Sequence, residues 1–160
     1  SYGYLSGSFV RDKDAVNASL LICEMFAWYR SQGKSLLDIL NDLYQTYGFY
    51  QSRLLTFTFE GSAGFAKMQE LMDGLRSTPP EKIGGYLVER TEDYQKDHTG
   101  LPKSNVLRFF LSGGLEAVVR PSGTEPKLKV YITAIGPTLA ESKVAADQLA
   151  EHFTQWANRK

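Results

Sequence analysis

The chain has 160 residues, enough for one ordinary domain or one domain with an appendage. Its 18 basic and 18 acidic residues cancel, so bulk charge gives no reason to expect nucleic acid or an anionic membrane as a partner. One cysteine, Cys23, excludes a disulfide framework within the chain; no apolar run reaches bilayer length, and the start lacks the basic leader and apolar core of a signal peptide. The expectation is a cytoplasmic protein with Cys23 as a buried, reduced thiol.

Residues 1–13 read as loop, with Gly3 and Gly7. Asp14 is an N-cap for a helix over 15–32, which Gly33 ends. Its apolar residues, among them Val16, Leu20, Leu21, Met25, Phe26 and Trp28, cover more than one stripe, so the helix is expected to be buried on several sides in a larger parent and to leave apolar surface exposed in this stretch alone. Ser35 caps a second helix over 36–46, with Asp38 completing a weak capping box. Residues 48–53 read as a linker. Beyond it, alternation of Leu55, Phe57 and Phe59 with threonines predicts a strand over 54–60. A helix follows from Ser62 to about Leu75, with Phe65, Met68, Leu71, Met72 and Leu75 on one face, and Pro79-Pro80 stops it.

Strands are predicted over 83–90, 106–111, 115–119 and 128–135, with a long polar loop over 92–102. Thr138 and Glu141 form a capping box for a last helix, whose buried face is predicted to hold Leu139, Val144, Ala145, Leu149 and Phe153. The order β-α-β-β-β-β-α predicts an α+β fold: a mainly antiparallel sheet with two helices on one face.

The run Arg120-Pro121-Ser122-Gly123-Thr124-Glu125-Pro126-Lys127-Leu128-Lys129 has the composition of a phosphate loop. Arg120 supplies a bidentate fork. Ser122 and Thr124 supply hydroxyls, and Gly123 is expected to allow a sharp turn and a close anion approach through its amide. Pro121 and Pro126 stiffen the flanks. Glu125 would repel the same anion and is expected to point away toward a lysine. Lys127 and Lys129 share one strand face: the reading favours solvent for Lys127 and leaves Lys129 open between solvent and phosphate. A turn built of ordinary turn-formers would give the same composition.

Arg-Pro-Ser-Gly-Thr-Glu-Pro followed by a β-rich run resembles the C-terminal phosphate loop of the α-D-phosphohexomutases, the phosphoglucomutase/phosphomannomutase family. Ser1-Tyr2-Gly3-Tyr4-Leu5 resembles the end of that family's sugar-recognition loop, and Arg11-Asp12-Lys13-Asp14 the segment after it in glucose-type members. The resemblance implies that residues 1–50 are the helical end of the family's third domain, and that 51–160 are its fourth, which is shaped like the TATA-box-binding protein. That likeness concerns topology and not DNA binding.

It further implies a parent enzyme that moves a phosphoryl group reversibly between positions 1 and 6 of a hexose. Such an enzyme uses Mg2+ and a hexose 1,6-bisphosphate intermediate. Arg120, Ser122, Gly123, Thr124 and Lys129 would hold the substrate phosphate, Ser1 would touch the sugar, and Lys13 would act near the sugar or in proton transfer. The family's phosphoserine loop and its Asp-Gly-Asp metal loop do not occur in these residues. The fragment alone is therefore expected to bind no metal or cofactor and to catalyse nothing, with the preceding domains and a phosphosugar as partners. A stand-alone phosphosugar-binding module, a phosphopentomutase fragment and a nucleic-acid-binding sheet are the alternatives. Surface placement is expected for His98, and a packing role for Trp28 and Trp156.

Overall fold

A computed structural model describes residues 3–96, 100 and 102–158. Ser1 and His98, singled out in the sequence, lie outside the described residues. The chain divides into two compact units, Ser1–Tyr47 and Gly48–Lys160.

The first unit is two helices, α1 (Ala15–Ser31) and α2 (Leu36–Tyr47). The Asp14 carboxylate caps α1 by accepting from the Val16 and Asn17 amides at 3.0 and 3.1 Å. Gly33, at φ +74°, and Lys34 close it by donating to the Arg30 and Tyr29 carbonyls, a Schellman ending. In α2 the Ser35 hydroxyl and the Asp38 carboxylate cap each other's amides. The apolar surface of α1 is exposed, as expected of this stretch on its own. Of its residues only Ala18 is buried; Trp28, Phe26 and Leu20 are exposed, and so is Cys23. A helix apolar on several sides needs neighbours on each, and one partner helix does not supply them.

The second unit is a six-stranded, wholly antiparallel sheet in the order β1-β6-β5-β4-β3-β2. Its strands are β1 (Phe49–Thr58), β2 (Lys82–Ile83), β3 (Tyr86–Asp93), β4 (Leu107–Leu111), β5 (Leu115–Pro121) and β6 (Lys127–Gly136). Helices α3 (Gly61–Ser77) and α4 (Leu139–Ala157) pack on one face. The α+β expectation therefore holds.

Three details differ from the expected pattern. Residues 49–53 are not a linker but the first half of β1, paired with 132–136 of β6. The turn into the strand is Gly48, at φ +94°. The strand expected over 83–90 is a hairpin instead: Gly84 and Gly85 take φ +59° and +91° between Ile83 and Tyr86, as a type I′ turn requires. On α4 the buried stripe is Ser142, Ala145, Ala146, Leu149, Phe153 and Ala157, while Val144 and Leu139 are exposed. Val144 lies about 100° round the helix from Ala145, which rotates it off the stripe. Phe65 at the start of α3 is likewise exposed.

The core gathers Met68, Met72 and Leu75 of α3 and Leu149 and Phe153 of α4 over alternate strand residues. In β6 these are Leu128, Val130, Ile132 and Ala134; in β5, Leu115, Ala117 and Val119. The intervening residues point away from both helices. At the end of α3, the Arg76 guanidinium donates to the buried Asp93 carboxylate at 3.1 Å, and also to Asp73 and Asn105. This ties the helix to β3.

Candidate functional site

The β5–β6 hairpin positions the loop over 122–126. Arg120 stands directly opposite Lys129, and Pro121 opposite Leu128. The Ser122 amide donates to the Lys127 carbonyl at 2.7 Å, which carries the pairing one residue further. Leu128 and Val130 are fully buried, so the register is pinned: a one-residue slip would turn both into water. The same register places Arg120, Ser122, Lys127 and Lys129 on the sheet face opposite α3 and α4. Directly opposed side chains there have Cβ atoms about 4.5–5.5 Å apart. Thr56 and Thr58 of β1 continue the two rows, opposite Lys129 and Lys127.

Charge on this face is unevenly satisfied. Arg90 is paired with Glu92, and both Arg90 and Arg108 lie against the Phe110 ring, at 3.8 and 4.4 Å from its centroid. Arg108 also donates to Glu116 at 2.7 Å, and the Glu116 bond is the first cause that raises the Arg108 pKa. Lys127 is held by the Glu125 carboxylate at 2.9 Å. Arg120 and Lys129 have no hydrogen-bond or ion-pair partner among the described residues. Two cations without a partner among the described residues therefore stand opposite each other at the base of the loop.

The loop supplies neutral donors above them. The Ser122 hydroxyl oxygen accepts from the Thr124 and Glu125 amides, at 3.4 and 3.3 Å. Those two long bonds occupy both of its lone pairs, leaving the O–H proton as its remaining capacity. Ser122 is therefore a brace inward and a donor outward. The Gly123 amide and the Thr124 hydroxyl have no partner among the described residues, and both residues are exposed. The Lys127 amide donates to the Glu125 carbonyl and the Phe59 amide to the Pro126 carbonyl, which anchors the loop's far end to the residue just after β1. Gly123 corrects the expected turn mechanism: its φ is not positive, so the turn itself does not need glycine. An added Cβ would meet nothing within 4 Å, so what glycine provides is an open approach to the amide.

Lys13 belongs to the first unit. Its Nζ donates to Asp12 at 2.9 Å, its side chain is half exposed, and its stem runs against Gly3. Two segments singled out in the sequence thus touch, through Gly3 and Lys13. Among the described residues no three His, Cys, Asp or Glu side chains converge. No described helix is long and apolar enough to cross a membrane.

Residues 75–152 match the family described as phosphoglucomutase/phosphomannomutase, C-terminal domain. Phosphoglucomutase of Staphylococcus aureus strain MRSA252 is 43% identical over 144 residues, covering 83% of this chain and 26% of that protein. The phosphoglucomutase of strain MW2 is 42% identical over the same length. The chain thus spans about a quarter of the length of these curated relatives. The crystal structure of parafusin (phosphoglucomutase) from Paramecium, in its open form, superposes with a TM-score of 0.65 at 17% identity, covering 93% of this chain and 28% of that one. At that identity the likeness concerns the fold.

Proposed function

Because the chain belongs to the phosphoglucomutase/phosphomannomutase family, as its C-terminal domain, we propose that its β5–β6 loop holds the non-reacting phosphate of a hexose phosphate while the other end of the sugar reacts. The observation that carries this reading is the unpaired Arg120–Lys129 couple under a loop of outward donors. A phosphate monoester brings two negative charges and only acceptor oxygens. It meets two cations, the Gly123 amide and the Ser122 and Thr124 hydroxyls. Each charge-assisted bond contributes about 1.5–3 kcal/mol. Association costs at least ~4 kcal/mol, so several such bonds give millimolar to micromolar affinity.

The task of such a loop is positioning. A phosphate held at a fixed distance fixes the rest of the substrate, and that orientation lowers the barrier for groups elsewhere. Those groups, with the magnesium that assists transfer in the family, would come from segments outside these residues. Lys13 would lie near the sugar, and Ser1 would contact it. The chain by itself would bind phosphate without transferring it.

Titration of the 160-residue chain with inorganic phosphate and with glucose 6-phosphate, followed by amide NMR, tests this. Saturable shifts centred on Gly123 and Thr124 are expected with both ligands. Shifts scattered over the surface, or none at these amides, would remove the basis of the reading.

A further inference from the structure

Lys127, beside the loop, is already engaged, and its partner is the acidic residue of the loop itself. Its Nζ lies 2.9 Å from Glu125 Oε1. Both ends of the pair meet water: the Lys127 side chain is 34% exposed and that of Glu125 56%. An exposed pair of this kind is held only weakly, because water screens both charges. The backbone of Lys127 is firmly placed by contrast, since its carbonyl accepts from Ser122 and its amide donates to Glu125. It stands opposite Ser122, on the face that also carries Arg120 and Lys129.

We propose that Lys127 is a further phosphate ligand, stored on Glu125 in the empty loop and transferred to the anion when the loop fills. The proposal rests on the phosphate-clamp reading of the loop. A dianion at Arg120 and Ser122 offers Lys127 two negative charges in place of one, and the side chain is long enough to swing while its backbone stays paired. Glu125 then acts as a holding site. It keeps the empty loop from presenting three bare cations, and it makes the anion compete for the third. Lys127 becomes a specificity residue, because a monoanion offers it no more charge than Glu125 already does.

The test is a double-mutant cycle on the 160-residue chain, read by calorimetric titration with inorganic phosphate at a pH where it is the dianion. If the anion competes with Glu125 for Lys127, Lys127→Met costs more once Glu125 is gone. The expected loss is about two- to threefold in the parent chain and about five- to tenfold in the Glu125→Gln background. An equal or smaller loss in the Glu125→Gln background would overturn the transfer, because a lysine that merely screens Glu125 matters less when Glu125 is neutral. Failure of the parent chain to bind phosphate at all would overturn the clamp reading together with this one. Binding by the parent chain with no excess loss would overturn this inference alone.

Discussion

Replacing Arg120 by alanine separates recognition from folding. The side chain is exposed and has no partner among the described residues, so its loss is expected to leave stability within about 0.5 kcal/mol. Phosphate affinity should respond far more. A guanidinium fork makes two parallel charge-assisted bonds of about 1.5–3 kcal/mol each, and water replaces part of what is removed. A net cost of roughly 2–3 kcal/mol follows, which is about a 30- to 150-fold rise in Kd. Arg120→Lys keeps the charge and loses the fork; it should cost about 1 kcal/mol, roughly fivefold. Calorimetric titration of the three chains with phosphate, at two salt concentrations, measures both. Binding by Arg120→Ala within twofold of the parent, with the fold intact by circular dichroism, would refute the clamp. Parent-like binding by Arg120→Lys beside a large loss in Arg120→Ala would refute the bidentate geometry and leave only charge.

Asp93→Ala leaves the Arg76 guanidinium without its buried carboxylate, although Asp73 and Asn105 remain at 3.1 and 2.7 Å. A loss of about 2–3 kcal/mol is expected, below the full cost of stranding a buried charge, and a urea midpoint lower by about 1 M would register it. Gly84→Ala adds a Cβ 3.0 Å from the Gln148 carbonyl oxygen at a φ of +59°, whereas Gly85→Ala adds one into open space at +91°. Each should lose about 1–2 kcal/mol to left-handed strain, and thermal melts should show Gly84→Ala to be the worse. The Asp38 carboxyl is held below its ordinary 3.8 first by the Ser35 hydroxyl and then by the Ser35 amide. A depressed folded pKa means that the cap of α2 is fully effective above 3.8 and is lost as pH falls through the lower folded value. In an NMR pH titration Ser35→Ala should move the Asp38 midpoint upward; an unmoved midpoint would show that the cap is not the cause.

The helices were legible because their ends carry chemistry: Asp14, Ser35 and Thr138 cap through their own side-chain oxygens, and Gly33 takes the left-handed turn. The loop's place between two strands was legible in its run of turn-formers, but an ordinary turn has the same composition, so residue types alone did not separate a phosphate loop from a plain turn. What escaped were pairings set by distant partners. Phe49 to Arg53 look like connector until β6 is laid beside them, because Gln51, Ser52 and Arg53 carry no strand signal of their own. Gly84-Gly85 was the readable sign of a two-residue hairpin inside the run taken as one strand. Val144 shows the limit of composition on a helix: its apolarity suggested burial, but its angular position denied it. Cys23 shows the same limit at the scale of a layer, since an apolar neighbourhood in sequence buries nothing without a second surface.

A sheet clad on one side sorts its residues by parity. Along β6 the even positions from Leu128 to Ala134 are sealed against the helices, while the odd positions Lys127 and Lys129 stand on the bare side with the loop. If the loop clamps phosphate as proposed, errors at even numbers would show as unfolding and errors at the odd numbers nearest the loop as lost ligand, with little exchange between the two. The strand can therefore vary its odd positions, changing what it grips, without renegotiating how it folds.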